Sequence, residues 1–217
     1  MTAWMTLTTK RRQVAIAGRI IEAVTQQAIA KAAIKIEQSP PEFRQILRLK
    51  ALQARNRSVE LDRVVSAIDG CFYFLDLPPG IYTLTASLPN TGTRYGTVTT
   101  EALTVSRNAE GNLQTAIAEM VLPTTALTGS VTYNNKPVSM ARIQVEGSST
   151  SAFSNAEGSY LLTGLEVWQL TPSGQPPRPN VQVFARGYPP LVQGVQLKQG
   201  ELTTHNFELA ARSPKSS

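Results

Sequence analysis

Residues 69–86 read DGCFYFLDLPPGIYTLTA and contain the parts of one complete β-hairpin. Asp69-Gly70 is a turn dipeptide, because glycine accepts the positive φ that tight turns require. An aromatic-rich run then leads to a second turn at Pro78-Pro79-Gly80, where proline presets φ and removes a backbone donor. From Tyr82 onward, apolar residues alternate with Thr and Ser. This alternation predicts a strand with one apolar and one hydroxylated face.

The pattern of this hairpin occurs a second time, in residues 157–165, which keep the spacing from glycine to aromatic residue and from glycine to leucine. Other segments match in the same order along the chain. The matched pairs are 16–20 with 127–131, 32–36 with 141–145, 70–77 with 158–165, 82–86 with 181–185, and 118–122 with 205–209. Several matches in one order indicate two copies of one domain.

The two copies together resemble the carboxypeptidase regulatory-like domain family. The second copy carries the front half of the family pattern as Gly129, Pro137, Val138, Ala141, Ile143 and Val145. The first copy carries the back half, from the Asp-Gly turn through the Pro-Pro-Gly turn to the alternating strand. The resemblance covers roughly residues 14–122 and 124–209. It implies an all-β fold of two tandem Greek-key sandwiches of the transthyretin or immunoglobulin type. Domains of this family are accessory modules of many different proteins, so the resemblance does not imply one particular function.

The resemblance and the repeat predict the domain organisation. We expect an N-terminal tail at 1–13, a first sandwich at 14–123, a second sandwich at 124–211 and a C-terminal tail at 212–217. A chain of 217 residues accommodates two small domains of this size.

The first copy contains a net insertion of 23 residues relative to the second, because the offset between matched residues falls from 111 to 88. Within it, Ser39-Pro40-Pro41-Glu42 predicts a helix start, with Ser39 as the N-cap and Pro40 in the first helical position. The helix is expected to run to about Ala54, within an insert spanning about 39–57.

At 100° per residue the predicted helix has two faces. One is apolar, with Phe43, Ile46, Leu47 and Ala54. The other aligns the arginines Arg44, Arg48 and Arg55, while Leu49 and Leu52 lie off the apolar stripe. One interpretation is a capping helix with a solvated charged face. The alternative is a docking helix, in which these arginines and leucines bind an acidic protein surface.

In the second copy a longer loop, 166–180, replaces the Pro-Pro-Gly hairpin. Long loops at the tip of a sandwich are common places for binding residues. Its Trp168 either folds back on the loop or forms an exposed anchor for a partner. Trp168, with Tyr95 and Tyr188, also supports an alternative function as a carbohydrate-binding module that uses exposed aromatic residues.

Composition excludes some classes of function. The net charge of +6 is concentrated locally, since 43–57 holds five basic residues and no acid, and no nucleic-acid partner is expected. The single cysteine, Cys71, excludes an internal disulfide and favours a reducing compartment. The run after Lys10-Arg11-Arg12 alternates as a strand and does not form a signal peptide, and no stretch reaches transmembrane length. We therefore expect a cytoplasmic protein or part of an intracellularly assembled particle.

The residues that carry chemistry do not form a catalytic set. His205 is the only histidine, and its match in the first copy is Ala118. Cys71 has no neighbouring base in the sequence, and Asp69 and Asp76 are interpreted as turn formers. No combination of residues suggests a metal site or a cofactor. The sequence thus predicts a non-enzymatic structural or docking subunit of a larger protein assembly. An accessory component of a phage-tail-like (contractile injection) particle fits these features.

Overall fold

A computed structural model describes residues 12–53, 61–167 and 178–211. In these ranges the chain is built from β-strands and one short helix, so the prediction of an all-β, sandwich-type fold with a helical insertion is confirmed. In the described part of the chain, no helix is long and apolar enough to cross a membrane. The contacts divide the described chain into two compact units. The first is drawn from 12–20, 28–53, 61–86 and 99–120, and the second from 21–27, 87–98, 121–167 and 178–211.

The first half of the chain forms two sheets and the helix. Its elements are β1 (Val14–Glu22), β2 (Ala33–Gln38), α1 (Pro41–Gln53), β3 (Arg63–Val65), β4 (Cys71–Leu75), β5 (Gly80–Ser87), β6 (Val98–Thr99), β7 (Leu103–Arg107), β8 (Leu113–Gln114) and β9 (Ala116–Leu122). One sheet has the order β4-β1-β9. The other has the order β3-β2-β5-β7-β8, with β6 also paired to β5.

The second half repeats this arrangement with shorter strands. Its elements are β10 (Ala126–Tyr133), β11 (Lys136–Pro137), β12 (Arg142–Val145), β13 (Ser151–Phe153), β14 (Ser159–Thr163), β15 (Asn180–Phe184), β16 (Leu191–Gly194), β17 (Leu202–Thr204) and β18 (Phe207–Glu208). One sheet has the order β11-β10-β14, and β17 and β18 pair with β10 in parallel. The other sheet has the order β13-β12-β15-β16.

Two buried serines show the internal repeat at the level of single hydrogen bonds. Ser66 Oγ accepts from the backbone nitrogen of Ala32 at 2.9 Å, and Ser154 Oγ accepts from that of Ala141 at 2.9 Å. Each hydroxyl also donates to a backbone carbonyl oxygen, at 2.7 and 2.6 Å respectively. A serine therefore satisfies the same buried backbone groups in both copies, where a residue without a hydroxyl would leave them unpaired. The predicted domain boundaries themselves stay a prediction.

Two matched glycines lie where neighbouring backbones approach closely. A Cβ at Gly18 would lie 2.5 Å from the carbonyl oxygen of Ala118, and a Cβ at Gly129 would overlap the carbonyl oxygen of His205. Gly129 also has a φ of +154°, which side-chain-bearing residues rarely adopt. Glycine is required here so that the neighbouring strand can pack against β1 and β10.

The predicted cores are confirmed. In the first copy the aromatic and leucine positions of the hairpin are buried, and in the second the matched positions are buried in one cluster. These buried residues are Phe72, Leu77, Tyr82 and Leu84 in the first copy, and Tyr160, Leu165, Val181 and Val183 in the second. The register predicted from alternation is therefore correct, because a shift of one residue would expose the whole set.

The start of α1 differs by one residue from the prediction. The backbone nitrogen of Arg44 donates to the carbonyl oxygen of Pro40 at 3.3 Å, so Pro40 is the capping residue and Pro41 occupies the first helical position. Ser39 lies one residue before the cap. The two consecutive prolines explain the difference, because either one is compatible with the first helical position and the local signal does not choose between them.

Candidate protein-interaction surface

α1 is fixed to the first unit at its N-terminal end. Phe43 is 3% exposed, and its ring meets that of Tyr82 edge to face with centroids 5.9 Å apart. The Tyr82 hydroxyl in turn donates to the carbonyl oxygen of Pro78 at 2.7 Å. Pro40 packs so closely on Gly80 that a Cβ at Gly80 would lie 2.7 Å from its ring. The helix therefore closes one side of the sandwich through a single buried aromatic anchor.

The face of α1 opposite Phe43 is exposed and mixes leucine with arginine. Leu52 is 80% exposed and Leu49 is 59% exposed, and Arg44 and Arg48 are both exposed. At 100° per residue, Leu52 lies on the side opposite Phe43, with the other three on the same half of the helix. We call these four residues the outer helix face. The structure thus brings together four of the residues proposed from the sequence.

Two further proposed residues, Arg55 and Trp168, lie outside the described residues. The two tyrosines considered for carbohydrate binding are both partly buried. Tyr95 is half-buried, and burial raises the pKa of its hydroxyl. Tyr188 is half-buried against the second core and packs on Tyr133, with ring centroids 5.1 Å apart. Both rings are therefore only partly exposed, in contrast to the exposed aromatic residues that this alternative expects.

A groove of about 270 Å³ lies beside the helix, between α1 and the strands β3 and β4. Its apolar lining includes Ile46, Leu61, Tyr73 and Leu75. Arg12, Lys50 and Arg63 contribute positive charge, and Asp76 contributes a carboxylate. The groove widens the apolar and basic surface that α1 presents.

Asp69 and Cys71, two residues of types that are often catalytic, have structural roles in this chain. The carboxylate of Asp69 accepts from the Cys71 backbone nitrogen at 2.9 Å, and this bond lowers the pKa of the carboxylate. The nearby carboxylate raises the pKa of the Cys71 thiol, because the thiol donates to it. A smaller fraction of Cys71 than of an ordinary cysteine is therefore present as the reactive thiolate at neutral pH. Among the described residues, no group of three or more His, Cys, Asp or Glu is placed to hold a metal ion.

His205 acts as a packing residue. Its ring meets that of Phe207 edge to face at 4.9 Å, as its shared strand parity predicts. Its backbone carbonyl oxygen accepts from the Tyr160 hydroxyl at 2.7 Å, and burial raises the pKa of that tyrosine. In the described part of the chain, the Nε2 atom of His205 is buried and has no hydrogen-bond partner.

A second exposed surface was not predicted from the sequence. It lies on the outer face of the sheet β13-β12-β15-β16, where two phenylalanines flank Arg142. The signal that would have indicated it is strand parity. Arg142 has the opposite parity to the buried Ile143, and Phe184 has the opposite parity to the buried Val183.

Comparison with known proteins shows distant structural likenesses only. No protein-family model and no curated protein matches the chain. The shaft pilin SpaA from Lactobacillus rhamnosus GG is 10% identical, with 94% of this chain and 99% of the pilin covered and a TM-score of 0.37. The Bacillus anthracis TIE protein is 12% identical over 91% of this chain, with a TM-score of 0.37. A type II cohesin–X-dockerin complex from Acetivibrio cellulolyticus is 11% identical over 40% of this chain, with a TM-score of 0.32.

The chain spans 34% of the length of the TIE protein and 58% of that of the cohesin–dockerin chain. We draw no functional argument from these likenesses, because the three TM-scores lie below 0.5.

Proposed function

We propose that this chain is a non-enzymatic docking subunit of a larger protein assembly, and that the outer helix face binds an acidic surface on a protein partner. One observation carries the proposal. α1 belongs to an insertion that the second copy lacks. It leaves Leu49 and Leu52 exposed, and among its described residues Phe43 is the one that is buried. Leucines that the fold does not bury, on an element that the second copy lacks, fit a surface that is buried in a complex.

The charges on the same face indicate the chemistry of the partner. In the described part of the chain, neither Arg44 nor Arg48 has a side-chain hydrogen bond or ion pair. Arginine is enriched at interfaces because its planar guanidinium is weakly hydrated and donates several hydrogen bonds to a carboxylate. Leucines beside these groups would exclude water and so strengthen the charged contacts. A partner surface with carboxylates among apolar side chains is complementary to this face.

The finer setting expected from the sequence, an accessory subunit of a phage-tail-like particle, belongs to the same proposal. It is supported by the sandwich architecture and by the absence of a catalytic arrangement among the described residues. Membership of the carboxypeptidase regulatory-like family and assembly inside the cell are proposals of the same kind. Native mass spectrometry of the protein purified from its own source would identify the partner by a fixed stoichiometry.

Charge reversal tests the docking face once that partner subunit is purified. Changing Arg44, Arg48 and Arg55 together to Glu is expected to weaken binding about tenfold or more, mainly by slowing association. Binding of the unmodified chain is expected to weaken as salt rises. The melting temperature should barely move, because the exposed charges of Arg44 and Arg48 contribute little to folding.

A matched control changes three other basic residues, Lys136, Arg178 and Arg186, to Glu, since all three are exposed and lie far from α1 in the sequence. This control is expected to bind as the unmodified chain does. Binding of the arginine variant at the affinity of the unmodified chain would show that α1 is only a lid on the sandwich.

A further inference from the structure

We propose that the chain associates head to tail with a second copy of itself, through two sheet faces that do not include the outer helix face. One face is the outer side of the sheet β13-β12-β15-β16. The other is the outer side of the sheet β4-β1-β9. The first presents a cation between aromatic rings, and the second presents a carboxylate among apolar side chains.

The first face contains a row of three side chains across neighbouring strands. Arg142 of β12 pairs with Phe153 of β13 on one side and with Phe184 of β15 on the other. Residues directly opposite in a sheet project from the same face. Phe153 is 56% exposed, Phe184 is 40% exposed, and Arg142 is exposed between them. We call these three residues the Phe-Arg-Phe row.

The guanidinium of this row has no partner in the described part of the chain, since no hydrogen bond, ion pair or ring contact involves it. Gln144 and Gln182 form the next row, beside Val192, which is also exposed. A patch of this composition is unusual for free surface. Phenylalanine and arginine are enriched in the buried centre of interfaces.

The first copy shows that the fold does not require this row. Ser66 and Ser154 occupy the same structural place, so Phe153 corresponds to Val65, which pairs with Ala33 as Phe153 pairs with Arg142. Phe184 corresponds to Thr85 in the matched segments. The same sheet positions thus hold small or aliphatic residues in one copy and two rings with a cation in the other. Stability of the sheet therefore does not explain the row.

The complementary face lies in the first unit. On β9, Ile117 is 66% exposed and Glu119 projects from the same side two residues later. β4 exposes Tyr73 and Leu75 on the outer side of the same sheet. In the described ranges, no hydrogen bond or ion pair involves the Glu119 carboxylate. Arg19, a second charged residue on this outer side, donates to the carbonyl oxygen of Asp69 at 3.1 Å.

Two sheet faces pack at a spacing of about 10 Å, which brings side chains of this length together. In that arrangement Glu119 of one copy accepts hydrogen bonds from Arg142 of the next, and the surrounding rings and aliphatic side chains shield the pair from water. From strand length and spacing, each face covers about 300 Å², which places the contact among small, weak interfaces. Because the two faces are different surfaces, the contact is heterologous and each copy offers one of each.

Sedimentation velocity of the pure chain tests this proposal at concentrations up to about 1 mM, a range suited to a weak interface. The unmodified chain is expected to sediment faster as concentration rises, and this effect should decrease with salt. Glu119→Arg and Arg142→Glu are each expected to sediment as a monomer. Arg186→Glu, the same charge change at an exposed turn residue, is expected to associate as the unmodified chain does.

A mixture of the two single variants separates contact between copies from other effects. Mixed in equal amounts, the two variants pair opposite charges at every contact between unlike chains and like charges at every contact between identical chains. The mixture is therefore expected to regain concentration-dependent association, with the two variants alternating. The double variant, Glu119→Arg with Arg142→Glu, should regain concentration-dependent association.

A monomeric unmodified chain at all concentrations would overturn the proposal, as would association that neither single variant reduces or a mixture that stays monomeric. The docking proposal for α1 is tested with other residues and another binding partner, so the failure of one leaves the other standing.

Discussion

Replacement of Phe43 by alanine measures how far α1 serves the fold. The Phe43 side chain is almost fully buried and packs on the ring of Tyr82. A buried area of about 150 Å² for a phenylalanine, at about 25 cal/mol per Å², corresponds to roughly 4 kcal/mol. The groove of about 270 Å³ beside this ring lets the site relax partly after truncation. We therefore expect the free energy of unfolding of the first unit to fall by about 3 kcal/mol, the lower end of the usual range for Phe→Ala.

The assay is urea unfolding followed by circular dichroism, with Leu52→Ala as the matched variant on the same helix. Leu52 is mostly exposed, and alanine and leucine both favour a helix, so its replacement should change the free energy of unfolding by less than about 0.5 kcal/mol. Equal effects of the two variants, or a loss below about 1 kcal/mol for Phe43→Ala, would refute the reasoning. α1 would then be attached too loosely to present a fixed outer face to a partner.

Other variants test the register and the Asp69–Cys71 pair. Leu84→Ala and Val183→Ala should each lower the free energy of unfolding by about 2–4 kcal/mol in thermal or urea denaturation, because both side chains are fully buried; a loss below half a kcal/mol for both would contradict the register. Asp69→Asn removes the carboxylate that raises the Cys71 pKa, so the thiolate forms at lower pH. Alkylation of Cys71 by iodoacetamide should then reach half its maximal rate at a lower pH than in the unmodified chain, and an unchanged pH midpoint would show that the carboxylate does not act on the thiol.

Much of this architecture could be predicted from the sequence, because period-two alternation and a repeated order of motifs are local and redundant signals. Burial of one face forces a single parity on each strand, so Tyr82, Leu84, Val181 and Val183 could be assigned to the cores before any pairing was known. The inserted helix also follows from local signals, since the double proline, the first-turn glutamate and the helical period agree with one another. The first residue of the helix lies one position later than predicted, because Pro40 and Pro41 satisfy the same local rule. The predicted end at about Ala54 lies outside the described residues.

Which strands lie side by side in a sheet, by contrast, depends on packing between residues that are distant in the chain. Pro40 caps α1, and its ring packs on Gly80, which lies forty positions later in the chain. Local sequence preferences around Pro40 cannot predict that contact. The Phe-Arg-Phe row joins residues 11 and 42 positions from Arg142, because β12 lies between β13 and β15 in the sheet. Alternation predicts the face of each of these side chains but not the strand beside it. Which exposed residues form one surface is set by long-range strand pairing, and that required the folded chain.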